Sequence, residues 1–210
     1  MIDLTAGEEM QIIKKVLKGD KNVFEELILA NQKNVYNLAL KLTGSEEDAQ
    51  DMSQESFFKA YTQLENFRGE SRFSVWMYRL TYNLCIDFLR KKNRTAVVSL
   101  TCHDDDNDAA DIDIPDTREL PEDVMLNRES RKTIADSIDE LGSTHREILI
   151  LMEITGMSYG DMAITLNISE GTVKSRLARA RKNLAGILIE KGTFSGSFRQ
   201  KEREEVGEHV

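Results

Sequence analysis

The chain has 210 residues, of which 40% are hydrophobic, so its length allows one domain or two small ones with a core in either arrangement. Its formal net charge is −9, and its two cysteines, Cys85 and Cys102, have the spacing of neither a disulfide framework nor a metal-binding CxxC pair. Because it also has neither an export signal nor a run of about 18 uncharged apolar residues, we expect a cytoplasmic protein that does not span a membrane.

Helical periodicity dominates the sequence, and no convincing alternation of period two occurs. The predicted fold class is all-α, with two small helical domains, residues 1–95 and 124–192, joined by an acidic flexible linker, residues 96–123. Residues 193–210 mix glycine, serine and balanced charge, and they are predicted to be a disordered tail.

An acidic helix is predicted in the first domain. Gly44 ends the helix before it and Ser45 can cap it, and it runs to about Leu64. Acidic and amide side chains at spacings of three and four share one face of this helix. They are Asp48, Gln50, Asp51, Gln54 and Glu55. The face fits either a partner surface or an ordinary solvated helix face.

A basic and aromatic helix is predicted from about Ser71 to Lys92, after a break at the sequence FRGES. Residues 68–94 carry seven basic and two acidic side chains, with aromatic residues among them. This composition is typical of a surface that binds unstacked bases. We also expect unpaired N–H groups at the start of this helix, where a nucleotide can lodge.

One polar strip runs along this helix. On a wheel of 100° per residue, Arg72, Arg79, Asn83 and Arg90 project in similar directions while most other positions are apolar. We interpret the strip as facing a ligand. Trp76 is interpreted as mainly structural, because aromatic and leucine side chains at spacings of four more often form a core.

The acidic segment accounts for the whole net charge. Residues 104–123 contain ten acids and one base, so the remaining residues are neutral in sum. Both prolines of the chain, Pro115 and Pro121, lie in this segment and mark it as a linker. Basic surfaces elsewhere in the chain therefore need not oppose a global negative field.

Four short helices are predicted in the second domain, with turns near Gly142, Gly156 and Asn167. The last two, SYGDMAITL and SEGTVKSRLARARKNL, have the order helix, tight turn, helix that is typical of a DNA-binding helix-turn-helix. The final helix carries five basic residues around a narrow apolar stripe, with no acid between Glu170 and Leu184. These features favour DNA binding over a merely solvated basic face.

The start of the final helix is predicted to meet DNA. Ser169 can cap the helix, and the small Gly171 allows a phosphate to approach its free N–H groups. The side chains expected to face base edges in a major groove lie in the first two turns, and they are Thr172, Lys174, Ser175 and Arg176. Arg179 and Lys182 are expected to face the DNA backbone.

These segments resemble the group IV, or extracytoplasmic-function (ECF), sigma factors of bacterial RNA polymerase, within the sigma-70 family. The similar stretches are EDAQDMSQESFFKAY, FRGESRFSVWMYRLTYNLCIDFLRKK and HREILILMEITGMSYGDMAITLNISEGTVKSRLARARKNL, within about residues 10–188. The resemblance implies a stress-response sigma factor, not an enzyme, that binds core polymerase, directs it to promoters and assists melting. It also implies a membrane-linked anti-sigma factor, and no cofactor, metal or small-molecule substrate.

The resemblance also implies residue roles. The first domain corresponds to sigma region 2, in which the acidic and amide side chains from Asp48 to Glu55 contact core polymerase. The loop that captures a flipped non-template base is Phe67, Arg68, Gly69, Glu70 and Ser71, and Arg79 and Asn83 lie where the family reads the −10 region. The second domain corresponds to region 4, with the recognition helix for the −35 element. An acidic linker fits the template and RNA path of polymerase, where negative charge can imitate nucleic acid.

Two departures from the family pattern concern stability. The chain has LGSTHRE where the family often has a proline and an acid before the arginine, and Gly160 replaces a usual acid.

The alternative function is a helix-turn-helix regulator with an N-terminal sensing domain, although a sensor does not need the basic aromatic helix. A metal-dependent nuclease built on DDDND is disfavoured, because Ala109 and Pro115 stand where a calcium loop needs glycine and glutamate.

Overall fold

The computed structural model of the chain describes residues 4–99 and 132–192. These residues are mostly helical and contain no strand, so the predicted all-α class is confirmed for the described part of the chain. They pack as two compact units, one of residues 4–99 with 150–170 and one of residues 132–149 with 171–192. Most of the predicted linker and the predicted tail lie outside the described residues, so the predicted domain boundaries remain predictions.

Four helices form the N-terminal bundle. They are α1 (Ala6–Leu17), α2 (Phe24–Thr43), α3 (Glu46–Thr62) and α4 (Phe73–Ser99). Helices α2, α3 and α4 pack against one another, and α1 packs against α2 and α4. The side chains of Leu27, Leu38, Phe73 and Met77 are completely buried between them. Apolar positions at helical spacing therefore face inward, as the sequence predicted.

The boundary between α2 and α3 follows from two residues. Gly44 takes a left-handed conformation, with φ 72°, and ends α2. The Ser45 hydroxyl accepts a hydrogen bond from the Asp48 amide at 3.3 Å and caps α3. Both predicted roles are confirmed. Helix α3 ends at Thr62, and Leu64 belongs to a separate short 3₁₀ turn, Leu64–Asn66.

Aromatic rings join the start of α4 to the rest of the bundle. Phe73 lies 6.4 Å from Phe24 and 5.7 Å from Trp76, and Phe67 contacts both Phe73 and Trp76. Tyr61 packs edge-on against Phe24. Trp76 is buried, which agrees with its structural interpretation. Such offset and edge-on pairs stabilise a core beyond the area that they bury.

The C-terminal part of the chain contains α5 (132–139), α6 (Ser143–Thr155), α7 (Tyr159–Leu166) and α8 (Glu170–Glu190). Ser158 caps α7 by accepting a hydrogen bond from the Asp161 amide. Asn167 then takes a left-handed conformation, with φ 53° and ψ 50°, so the predicted turn residue is confirmed. Helices α4 and α8 both run further than predicted, to Ser99 and Glu190.

Candidate nucleic-acid and polymerase interfaces

The outer face of α3 carries the acidic and amide side chains that the sequence analysis grouped together. Gln50, Asp51, Gln54 and Glu55 are exposed, whereas Ala49, Met52, Ser53, Ser56 and Ala60 are buried on the inner side. We call these four exposed residues the acidic face. Asp48 is set apart from them, because its carboxylate forms a 2.7 Å ion pair with Lys92 of α4 and is only 19% exposed. Asp48 therefore has a role inside the bundle.

An apolar groove adjoins the acidic face. It lies between α2 and α3, encloses about 580 Å³, and has Ile28, Tyr36 and Phe57 among its lining residues, together with Gln50 and Gln54. A lining that combines apolar and amide side chains is typical of sites that receive another protein or a ligand. The groove thus places apolar side chains directly beside the polar side chains of the acidic face.

Phe58 also belongs to this surface, although sequence reasoning did not select it. Its side chain is 69% exposed, an unusual position for a phenylalanine. It follows Asp51 by seven residues, about two helical turns, and therefore lies on the same side of α3 as the acidic face. The helical wheel could have indicated it, since an aromatic residue among acids and amides breaks the inward apolar pattern.

The predicted polar strip of α4 is exposed along most of its length. Asn83 is the one exposed residue between Phe73 and Ile86, and Arg79 is half-buried beside it. Arg90 is also exposed, and it lies 3.6 Å from Asp87 in a weak surface pair. The bundle thus presents amide and guanidinium groups from a helix whose other side chains between Phe73 and Ile86 are buried or half-buried.

Arg72 differs from the rest of the strip, because its guanidinium is bonded within the bundle. It donates to the Leu4 carbonyl at 2.6 Å and to the Glu9 carboxylate at 3.3 Å. The other oxygen of Glu9 accepts the Phe73 amide at 3.0 Å. The first amide of α4 therefore has a partner and is not free to bind a nucleotide, because a distant carboxylate from α1 reaches it.

The loop before α4 has an exposed part and an anchored part. Arg68, Gly69 and Glu70 are exposed, and Ser71 is half-buried. Phe67 is also half-buried, and its ring packs 5.4 Å from that of Trp76. Gly69 has φ 73°, a conformation that favours glycine. We call residues 67–71 the α3–α4 loop.

Helix α8 separates apolar and basic positions cleanly. Val173, Leu177, Ala180 and Leu188 are buried along one stripe. The residues of the predicted recognition surface are exposed except for Thr172 and Arg176, which are half-buried. The exposed ones are Ser169, Gly171, Lys174, Ser175, Arg179 and Lys182. The helix therefore packs by one edge and presents a positive surface on the others, as predicted.

Polar contacts fix both ends of the unit that contains most of α8. Asn183 lies within 3.2 Å of His145 Nδ1, and Lys191 forms a 2.7 Å ion pair with Glu140. Arg146 donates to the carbonyls of Ile138 and Asp139 at the end of α5 and to that of Leu141 just after it. Arg146 is the arginine of the LGSTHRE stretch, and these bonds hold that turn although the family's usual proline is missing.

The described residues offer no metal site, since they contain no group of three or more histidine, cysteine or acidic side chains that could hold an ion. Within the same residues, none of the helices combines the length and apolarity needed to cross a bilayer. The DDDND stretch, Cys102 and His103 lie outside the described residues.

Comparison with known proteins identifies the matched regions. The family model "Sigma-70 region 2" matches residues 27–95, and "Sigma-70, region 4" matches residues 131–184. The RNA polymerase sigma-H factor of Pseudomonas aeruginosa is 36% identical over 180 residues, covering 85% of this chain and 93% of its own. The ECF sigma factor SigW of Bacillus subtilis is 32% identical over 172 residues, covering 82% and 92%.

Two solved structures share the fold. One is CnrH in complex with the cytosolic domain of CnrY, with a TM-score of 0.61 and 22% identity over 89% of this chain and 99% of that chain. The other is the sigma factor RpoE in complex with the anti-sigma factor NepR from Bartonella quintana, with a TM-score of 0.64 and 23% identity over 79% and 96%.

The two helical regions are thus those of the sigma-70 family. The chain belongs to the ECF sigma factors of that family, so the resemblance found in the sequence is confirmed. It is a transcription initiation factor that directs RNA polymerase to promoters. Sigma factors are not enzymes.

Proposed function

We propose that the acidic face of α3 is the main surface that holds core RNA polymerase. The observation that carries this proposal is the combination of exposed carboxylates, exposed Phe58 and the adjoining groove on one side of the bundle. An apolar residue inside a charged surface is typical of a protein interface, because the aromatic ring supplies binding energy and the charges supply specificity. Asp48 acts indirectly, through its ion pair with Lys92.

The α3–α4 loop and the strip of Arg79, Asn83 and Arg90 act on the −10 region. Strand opening requires a site that favours an unstacked base over a paired one. Exposed Arg68, Gly69 and Glu70 beside the Phe67 ring offer polar groups next to an aromatic wall. The exposed amide and guanidinium groups of α4 can then hold the separated strand by its phosphates and bases.

Helix α8 reads the −35 element. Arg176 is half-buried in the second turn of α8, a position that suits a base contact, whereas exposed Arg179 and Lys182 suit phosphates. The N-terminal turn with Gly171 allows close approach to the DNA backbone.

An anti-sigma factor is the expected inhibitor. The solved structures of CnrH and of RpoE with NepR are complexes, and the second partner is named as an anti-sigma factor. A partner that covers both the acidic face and α8 prevents polymerase binding and promoter docking together. The chain itself supplies no catalysis, and it acts in the cytoplasm with polymerase.

The test is in vitro transcription with bacterial core polymerase on pooled upstream fragments of the source genome. Wild-type protein, Asp51→Arg and the control Glu25→Arg are compared, since Glu25 is an exposed acid of α2 outside the acidic face. We expect new specific start sites with wild type and Glu25→Arg, and their loss with Asp51→Arg. If core polymerase ignores the protein while duplex DNA is still bound, the regulator with an N-terminal sensing domain is the better description.

A further inference from the structure

The start of α4 has no capping side chain of its own. Arg72 precedes its first residue, and the Ser71 hydroxyl donates to the Arg72 carbonyl instead of accepting from the helix. A helix of 27 residues thus begins with an amide that needs an acceptor, next to the positive end of the helix dipole.

Glu9 of α1 supplies that acceptor from 64 residues away. Its side chain is only 5% exposed, so its carboxylate has lost most of its hydration. Burying a charge is costly unless it is hydrogen-bonded and paired. Glu9 meets both conditions, because one oxygen accepts from the Phe73 amide and the other from Arg72. The Arg72 bond to the Leu4 carbonyl ties the same guanidinium to the segment before α1.

Met10, the next residue of α1, lies under the α3–α4 loop. A Cβ atom added to Gly69 would be 2.6 Å from Met10 Cε, closer than carbon atoms approach. The methionine therefore fills the space beside a glycine that already requires φ 73°. Adjacent residues of α1 thus touch the loop at its glycine and at its junction with α4.

We propose that Glu9 and Met10 are positioning residues for strand opening, because they hold the α3–α4 loop in the shape that receives an unstacked base. The inference rests on the proposed function of that loop. Fixing a loop before the base arrives removes the entropy cost of ordering it during melting. Neither residue belongs to the acidic face or to α8, so recruitment and −35 docking should not depend on them.

The experiment uses holoenzyme on a promoter obtained from the transcription test, with 2-aminopurine in the −10 region to report opening. Glu9→Ala should slow opening on the order of tenfold, as expected for loss of a charged hydrogen bond. Glu9→Gln should be slowed less, because its amide oxygen can still accept from Phe73. Met10→Ala should be slowed as well. The control is Gln11→Ala, an exposed neighbour on α1, which should behave as wild type.

If Glu9 and Met10 only stabilise the fold, their variants should lose core polymerase binding and promoter opening together. Two further measurements separate this case from a positioning role. The affinity of the variants for core polymerase should stay within about twofold of wild type. A template with a pre-opened −10 region should restore their transcription to the wild-type rate. The inference is overturned if Glu9→Ala and Met10→Ala open the promoter normally while Phe67→Ala, in the loop, does not. It is also overturned, together with the loop's proposed function, if Phe67→Ala opens normally. Equal losses in core binding and opening would make α1 a general stabiliser and refute the inference.

Discussion

Arg72 immediately precedes α4 and Arg79 lies within it, and a helical wheel places both on the same side, yet their surroundings differ. Arg72 has a carbonyl and a buried carboxylate as partners, so its charge is used within the bundle. Arg79 is half-buried beside the exposed Asn83, where a nucleic acid can reach it. A helical wheel drawn from the sequence gives both arginines the same direction. It uses only the spacing of residues along the chain, and it contains no information on contacts with other helices.

Cys85 is completely buried in α4, and burial raises the pKa of its thiol to about 12. Only the thiolate reacts with disulfide reagents, so in a Cys102→Ser background we expect the native protein at pH 8 to react at least about 10³-fold more slowly than the unfolded chain. Ellman's reagent with and without urea measures this ratio. Comparable rates in the two conditions would mean that α4 opens readily around Cys85.

Arg176 and Lys182 are predicted to contribute to DNA binding in different ways. Arg176→Ala should weaken binding to the cognate −35 element by about 1 to 3 kcal/mol if the arginine reads a guanine, with little change on unrelated duplexes. Lys182→Ala should weaken binding to all sequences and reduce the salt dependence by roughly one phosphate contact. Anisotropy titrations with both duplexes at several salt concentrations distinguish the two. An equal loss for Arg176→Ala on every sequence would make it a phosphate contact.

At the scale of helices, the sequence predicted helix ends and turns correctly where neighbouring residues determine them. Gly44, Ser45 and Asn167 have conformational roles that neighbouring residues determine, and the structure confirms all three. Helix α1 was not predicted, although Thr5 and Glu8 form a capping box that is readable as T-x-x-E. The contact between Glu9 and Phe73 could not be predicted, because it joins residues 64 positions apart and depends on how the helices pack.

The turn between α7 and α8 depends on Asn167. Its positive φ costs most residues about 1 to 2 kcal/mol, and asparagine less because its side chain bonds locally. We expect Asn167→Val to lower the free energy of unfolding by about that amount, and Asn167→Gly to leave it nearly unchanged or slightly higher. Urea unfolding of the full chain, followed by circular dichroism, tests this. Equal midpoints for the valine and glycine variants would show that the turn tolerates another conformation.

The start of α1 should respond to acid. The Thr5 amide donates to the Glu8 carboxylate at 2.7 Å, as does the Thr5 hydroxyl, and these bonds lower the pKa of Glu8. A lowered folded-state pKa means that the cap is stabilising above the ordinary glutamate pKa and is lost as pH falls through the lowered value. NMR titration of Glu8 should therefore give a midpoint below that of a free glutamate. In Thr5→Ala the midpoint should rise only part of the way to that of a free glutamate, because the hydroxyl is lost while the backbone amide of residue 5 still donates, whereas Gln11→Ala should not move it.

At the scale of the whole molecule, the sequence predicted the surfaces better than their internal support. The exposed faces of α3, α4 and α8 were found because helical periodicity separates outward from inward positions. Phe58, the tethering of Arg72 and the capping by Glu9 were missed, because each depends on which neighbours a helix meets. The residues that support a functional surface are therefore harder to read from sequence than the surface itself.

The charge distribution gives a prediction for the free protein. Asn replacements at Asp104, Asp105, Asp106 and Asp108 remove four of the nine net negative charges. At about 10 mM salt the Debye length is roughly 30 Å, so the global field reaches the basic helix and the variant should bind nonspecific duplex several-fold more tightly. At about 0.15 M salt, with a Debye length near 8 Å, the difference should disappear.

A control with Gln at Glu202, Glu204, Glu205 and Glu208 removes the same charge elsewhere in the chain. If the effect is a long-range field, both variants gain affinity equally at low salt and neither gains at 0.15 M. If only the Asp104–Asp108 variant binds DNA more tightly at 0.15 M salt, this explanation is wrong. At that salt concentration, charges farther from the DNA than the Debye length are screened. The acidic segment would then compete with DNA by direct contact with a basic surface.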